Sequence, residues 1–142
     1  MKRVLVCIVI LVGLLAALPT FAGNNILSGI ITGNHRLADN SFDVGCAPYF
    51  TTSPYYYESY TMTVTESGDY DFSANPQNPG TFVAFLGIFS LGGFDVNNQL
   101  ANCIDGDNGG TLTLAAGTYT LIVTTLVPDT TGFFSVALNG PG

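Results

Sequence analysis

The chain has 142 residues and sets ten Asp and Glu against three Lys and Arg, with one His and three Cys. Lys2 and Arg3 precede an apolar run, Val4 to Leu18, that ends in Pro19 and the small-x-small site Thr20-Phe21-Ala22, so residues 1–22 read as a cleaved secretory signal peptide. Residues 23–142 then keep Arg36 as their sole base, which excludes nucleic acid and anionic membrane as partners, since both need neutralising cations.

Taken in order, Ile26 to Thr32 (ILSGIIT) is an apolar strand weakened by Gly29 and ended by Gly33-Asn34. His35 to Ser53 is polar, turn-rich loop in which Phe42 and Val44 are the inward anchors. Tyr56 to Thr65 alternates, with Tyr60, Met62 and Val64 on one face and Thr61, Thr63 and Thr65 on the other. Glu66-Ser67-Gly68 makes a hairpin turn, after which Tyr70, Phe72 and Ala74 continue the buried face while Asp69, Asp71 and Ser73 meet water. Asn75 to Gly80 is a loop with two prolines. Phe82 to Leu91 is almost continuously apolar and therefore reads as a strand covered on both sides, with Gly87 permitting a bend or a close approach. Gly92 to Gln99 is loop, Leu100 to Ile104 a short strand, and Asp105 to Gly110 an acidic turn.

The segment from Leu112 to Leu138 organises the rest. Leu112 and Leu114 alternate with threonines, Ala116-Gly117 turns the chain, and Tyr119, Leu121 and Val123 alternate with Thr118, Thr120 and Thr124. Val127 to Gly132 turns it again, and Phe134, Val136 and Leu138 form another strand. These make three consecutive antiparallel strands with one wet face, and other strands must cover the second. Many short strands punctuated by Gly, Pro, Asn and Asp, without a helical period after the signal, specify an all-β fold: a single antiparallel β-sandwich of jelly-roll type. Cys46 and Cys103 are the two cysteines of the exported part, and in an oxidising compartment they are expected to pair. Closing so long a loop would stabilise by roughly 4 kcal/mol in the chain-entropy model.

Phe94 to Asn102, the Asp-rich Asp105 to Asn108, and Leu112 to Tyr119 (LTLAAGTY) together resemble the bacterial pre-peptidase C-terminal (PPC) domains. The closing Gly132-Phe133-Phe134-Ser135-Val136-Ala137-Leu138 and the hairpin Tyr60 to Phe72 are similar to that family as well, so the likeness runs from about Tyr56 to Gly142. One departure is Gly80-Thr81-Phe82, where the family has an aromatic-Asp pair opening the middle strand. The resemblance implies a PPC-like sandwich acting as a non-catalytic module of the bacterial exterior.

Chemistry is sparse. A Ser-His-Asp arrangement would have to use His35 with Asp39 or Asp43, and no Gly-x-Ser-x-Gly elbow is present. Asp69 and Asp71 sit two apart on one strand face, not across a cleft as a glycosidase requires. No His or Cys cluster has zinc spacing. Asp105-Gly106-Asp107-Asn108-Gly109 offers two carboxylates and free carbonyls suited to calcium, a use the PPC resemblance also implies for acidic loops; the residue that would complete an EF-hand is Ala116, which excludes that motif. The alternative for Asp105 and Asp107 is a solvated turn. Tyr49, Phe50, Tyr55, Tyr56 and Tyr57 cluster around Pro48 and Pro54, either packed over a sandwich end or exposed to sugars and proteins.

The expectation is therefore a secreted or cell-surface module without catalysis or a certain cofactor. Its partner is an extracellular protein, a polysaccharide or another copy of itself, the last by exchange of the strand at Ile26 to Thr32 into a filament. A small hydrolase is the rival class.

Overall fold

A computed structural model of the chain describes residues 20–21, 25–37, 40–42, 44–50, 55–75 and 84–141. Most of the expected signal peptide, the Asn75-to-Gly80 loop beyond its first residue, Phe82, Asp39 and Asp43 lie outside the described residues, as do the side chains of Phe42, Val44, Tyr49 and Phe50. Among the described residues the strands are β1 (Thr20–Phe21), β2 (Asn25–Ile31), β3 (Asn40–Phe42), β4 (Pro48–Phe50), β5 (Tyr57–Val64), β6 (Gly68–Asn75), β7 (Ala84–Phe89), β8 (Cys103–Asp107), β9 (Gly109–Leu114), β10 (Gly117–Thr125) and β11 (Gly132–Asn139), with a 3-10 turn at Val44–Cys46.

The period-two segments form strands where expected, but consecutive ones do not pair. Sheet A runs β1-β5-β10-β7-β8 and sheet B runs β2-β11-β6-β9, with β3 and β4 forming a separate ribbon. Every pairing between strands is antiparallel except that of β1 with β5. Glu66-Ser67-Gly68 is accordingly no hairpin turn: it carries the chain from β5 in sheet A to β6 in sheet B. The turns at Ala116 and at Val127 to Gly132 cross between sheets in the same way, so β9, β10 and β11 are not a meander. Alternation reports that one face is buried, and a face is buried equally well by the strand beside it or by the opposite sheet. The product is a two-sheet, all-β sandwich.

Its core lies between the sheets. Met62 and Val64 of β5, Leu86 and Ile88 of β7, and Leu121 and Val123 of β10 face Tyr70 and Phe72 of β6, Phe134, Val136 and Leu138 of β11, Leu114 of β9 and Ile31 of β2. A second cluster covers the outside of sheet A: Leu37, Tyr55, Phe85, Phe89 and Ile122, with Tyr57, Phe94 and Cys103 packed against it. This explains two features. All six residues of β7 are buried, as its unbroken apolar sequence predicts. β10, expected to have a wet face, instead buries Leu121 through Thr125 without interruption. The threonines there are satisfied: Thr124 Oγ1 donates to the Tyr56 carbonyl at 2.8 Å and Thr125 Oγ1 to the Val127 carbonyl at 2.6 Å.

Two close approaches depend on glycine. A Cβ on Gly29 would stand 2.6 Å from the Tyr60 hydroxyl and 2.7 Å from Cζ of Phe134, so the residue that weakens β2 intrinsically is the one that lets Tyr60 and Phe134 meet edge to face, 5.9 Å apart. A Cβ on Gly140 would reach within 2.1 Å of the fully buried Tyr70 ring, whose hydroxyl lies 2.7 Å from the Glu66 carbonyl and 2.8 Å from that of Pro141. The tail after β11 thus closes over the sandwich end.

Candidate functional site

Cys46 and Cys103 are bonded, with Cα atoms 5.9 Å apart. The bridge fastens the loop segment that covers sheet A to its edge strand. What aims Cys103 correctly is a bulge in β8. Asp107 stands opposite Leu86 and Asp105 opposite Ile88, but the register then slips, so Cys103 stands opposite Phe89. Residues directly opposite in an antiparallel pair share a face. The slip therefore turns Cys103 outward to the covering cluster while Asp105 and Asp107 turn inward with Ile88 and Leu86.

The acidic segment is consequently not a loop. Asp105 and Asp107 belong to β8, which was expected to be complete at Ile104, and after Asn108 the chain enters β9 on the opposite sheet. Both aspartates are half-buried. Between the edges β8 and β9 the sandwich opens into a crevice, with Leu86, Ile88, Phe72 and Leu112 as its apolar lining and Asp105 and Asp107 on one wall. Asp105 Oδ1 accepts the Gly106 N–H at 2.8 Å and Asp107 Oδ1 that of Asn108 at 2.6 Å, so each carboxylate is oriented by its own backbone through one oxygen. A Cβ at Gly110 would lie 3.8 Å from Asp107 Oδ2, which leaves this oxygen above the side-chain-free start of β9. Apolar lining with carboxylates at the wall suits a group with an aliphatic stem and a cationic head. Among the described residues, no three His, Cys, Asp or Glu side chains gather as a metal-ligand group.

The other sequence candidates fall elsewhere. Asp69 and Asp71 are exposed on the outer face of sheet B, where Thr113 Oγ1 donates to Asp69 at 2.6 Å and Thr111 Oγ1 to Asp71. His35 meets a carboxylate that the sequence reading missed: its Nδ1 lies 3.6 Å from Glu58 Oε2. Glu58 Oε1 accepts the Thr32 N–H at 3.2 Å and the Thr32 hydroxyl at 3.0 Å. The hydroxyl in this group therefore bonds to the carboxylate and not to the imidazole, so the set lacks the nucleophile-to-base bond of a triad. Its geometry ties the segment after β2 to β5. The signal for Glu58 was a solitary acid among apolar and hydroxyl residues of a strand. Burial, and secondarily the Glu58 charge, raise the pKa values of Tyr57 and Tyr60 above the ordinary tyrosine value.

Of the aromatic cluster around Pro48 and Pro54, the described side chains, Tyr55, Tyr56 and Tyr57, are packed against their neighbours. Tyr55 is buried, Tyr56 lies beneath the Arg36 guanidinium at 5.8 Å, and Tyr57 meets Phe94 edge-on at 5.3 Å. β2 pairs with β11 of its own chain along its whole length.

No protein-family model matches the chain, and no curated protein does. Solved structures do resemble it. One is the pre-peptidase C-terminal domain of a collagenase from Bacillus anthracis, with 15% identity, TM-score 0.49, and 84% of this chain and 92% of that one covered. Another is PliG of Aeromonas hydrophila, a periplasmic lysozyme inhibitor of g-type lysozyme, with 15% identity, TM-score 0.50, and 83% of this chain and 86% of that one covered. At 15% identity, the likeness to PliG is one of fold: an antiparallel two-sheet β-sandwich.

Proposed function

We propose that the chain is a secreted, non-catalytic β-sandwich module that binds a positively charged extracellular protein, holding a lysine ammonium at the mouth of the crevice between β8 and β9. The observation that carries this reading is the pair of inward-facing carboxylates, Asp105 and Asp107, beside an apolar lining, in a chain with almost no cations of its own. A lysine stem would lie against the partly exposed Leu112 while its ammonium met the carboxylates. A sandwich of this kind serves PliG as an inhibitor of another protein, a role that requires a surface and no catalytic residue.

The test is the affinity of the exported chain for an oligolysine peptide and for its acetylated form. Asp105→Asn/Asp107→Asn should bind the unmodified peptide about tenfold or more weakly, a loss of about 1.4 kcal/mol or more. Asp69→Asn/Asp71→Asn should bind like wild type. Equal affinity in all three proteins would reduce the interaction to net charge and overturn the reading.

Calcium at Asp105 and Asp107 is the second reading, favoured by the two carboxylates converging from one strand face. Calcium would then raise the melting temperature of wild type and not of Asp107→Asn, because binding favours only the folded state.

A further inference from the structure

The start of β9 offers its backbone to the crevice mouth. The Ala74 N–H donates to the Asn108 carbonyl at 3.2 Å, and Ser73 stands opposite Gly109 where β6 pairs with β9. In an antiparallel ladder, a bond between the residues flanking a facing pair marks that pair as one that exchanges no hydrogen bonds itself. Ser73 and Gly109 are therefore such a pair, and Gly110, Leu112 and Leu114 are the residues of β9 bonded to β6. The N–H and C=O of Gly109 point the other way, out of the edge of sheet B, where among the described strands none lies beyond β9.

Gly109 also stands beside the carboxylates. Gly110, next to it, is exposed, and a Cβ there would lie 3.8 Å from Asp107 Oδ2. Faces alternate along a strand, so Gly110 shares the crevice face with Leu112. A chain laid antiparallel along this edge would place one residue opposite Gly109 and the residue before it opposite Gly110. The first can exchange both backbone hydrogen bonds with Gly109. The side chain of the second turns to the crevice face, over the space that Gly110 leaves open and toward Asp107.

Resting on the lysine reading of the crevice, we propose that the partner presents its lysine on an extended segment whose next residue pairs with Gly109. The ligand is then a Lys-X step of a protein chain. X donates its N–H to the Gly109 carbonyl and accepts the Gly109 N–H, while the lysine ammonium meets Asp105 and Asp107. Charge complementarity selects the lysine, since this chain sets ten acids against three Lys and Arg. The backbone pair fixes where the stem enters, so Gly109 is a positioning residue, and it distinguishes a peptide lysine from a free amine with the same head.

Acetylated tetralysine amide and spermine carry equal charge on aliphatic stems, but spermine has no peptide group to pair. Amide exchange of the isotope-labelled exported chain should be followed with each probe at saturation. Both should shift the Asp105 and Asp107 amides. Tetralysine should slow exchange of the Gly109 amide about tenfold or more and bind about tenfold more tightly than spermine, which should leave that amide unchanged. Unaltered Gly109 exchange with tetralysine, while the aspartate shifts persist, would overturn the backbone pairing and leave the lysine reading standing. Equal slowing by spermine, or equal affinity, would overturn the pairing as well. If neither probe shifts Asp105 and Asp107, the lysine reading fails and this inference with it.

Discussion

At the scale of single residues, space decides more than charge. Gly29 looks in the sequence like a flaw in a strand, because a glycine there costs backbone entropy and contributes no side chain. The structure gives it a purpose that no local pattern carries, since Tyr60 is 31 positions further along the chain. Gly29→Ala should destabilise the protein by about 1–3 kcal/mol through overpacking against Tyr60 and Phe134, read as a lower melting temperature. Tyr57 and Tyr60 make a prediction in pH. Their folded pKa values lie above the unfolded value of 10.0, so the folded state holds their protons more tightly. That stabilisation is complete below about pH 10 and is lost as pH rises through the raised folded values. Melting temperature should therefore fall on the alkaline side, and Tyr60→Phe should fall less steeply; an identical slope would assign the loss to other groups.

At the scale of elements, period-two alternation marked β5, β6, β9, β10 and β11, a short apolar run marked β2, and unbroken apolar sequence marked β7 as covered on both sides. Which sheet each strand joined was not legible, because alternation is silent about whether its cover lies beside it or across the core. β10 shows the same limit from the other side: Thr124 pairs with a backbone carbonyl 68 positions away, so a hydroxyl read as wet is buried. The β8 bulge was hidden for a further reason. An ideal strand puts Cys103, Asp105 and Asp107 on one face, and only the slip against Phe89 separates the disulfide from the carboxylates. The cysteine pair was legible from compartment and number alone. Because it clamps the cover over Phe89 and Ile122, Cys46→Ser/Cys103→Ser should cost about 2–5 kcal/mol, and amide exchange should quicken first around Leu37 and Tyr55.

At the scale of the whole molecule, the chain is a sandwich whose outer faces differ. Sheet A is roofed by a second apolar cluster, while sheet B leaves Ile26, Ile30 and Phe133 exposed at one margin and Asp69 and Asp71 at the other. One end of each sheet, β8 and β9, lies beside the other, and there the acidic crevice opens. The acidic pair Asp105 and Asp107 was plain from the sequence, but its place beside an apolar lining depended on topology, because Phe72 and Leu112 come from one sheet and Leu86 and Ile88 from the other. The most direct test of the proposed binding role is amide chemical-shift mapping of the isotope-labelled exported chain during titration with oligolysine. The account predicts shifts confined to Asp105, Asp107, Gly109, Gly110 and Leu112 and abolished by Asp105→Asn/Asp107→Asn; shifts centred instead on Asp69 and Asp71, or unaltered in that variant, would contradict it.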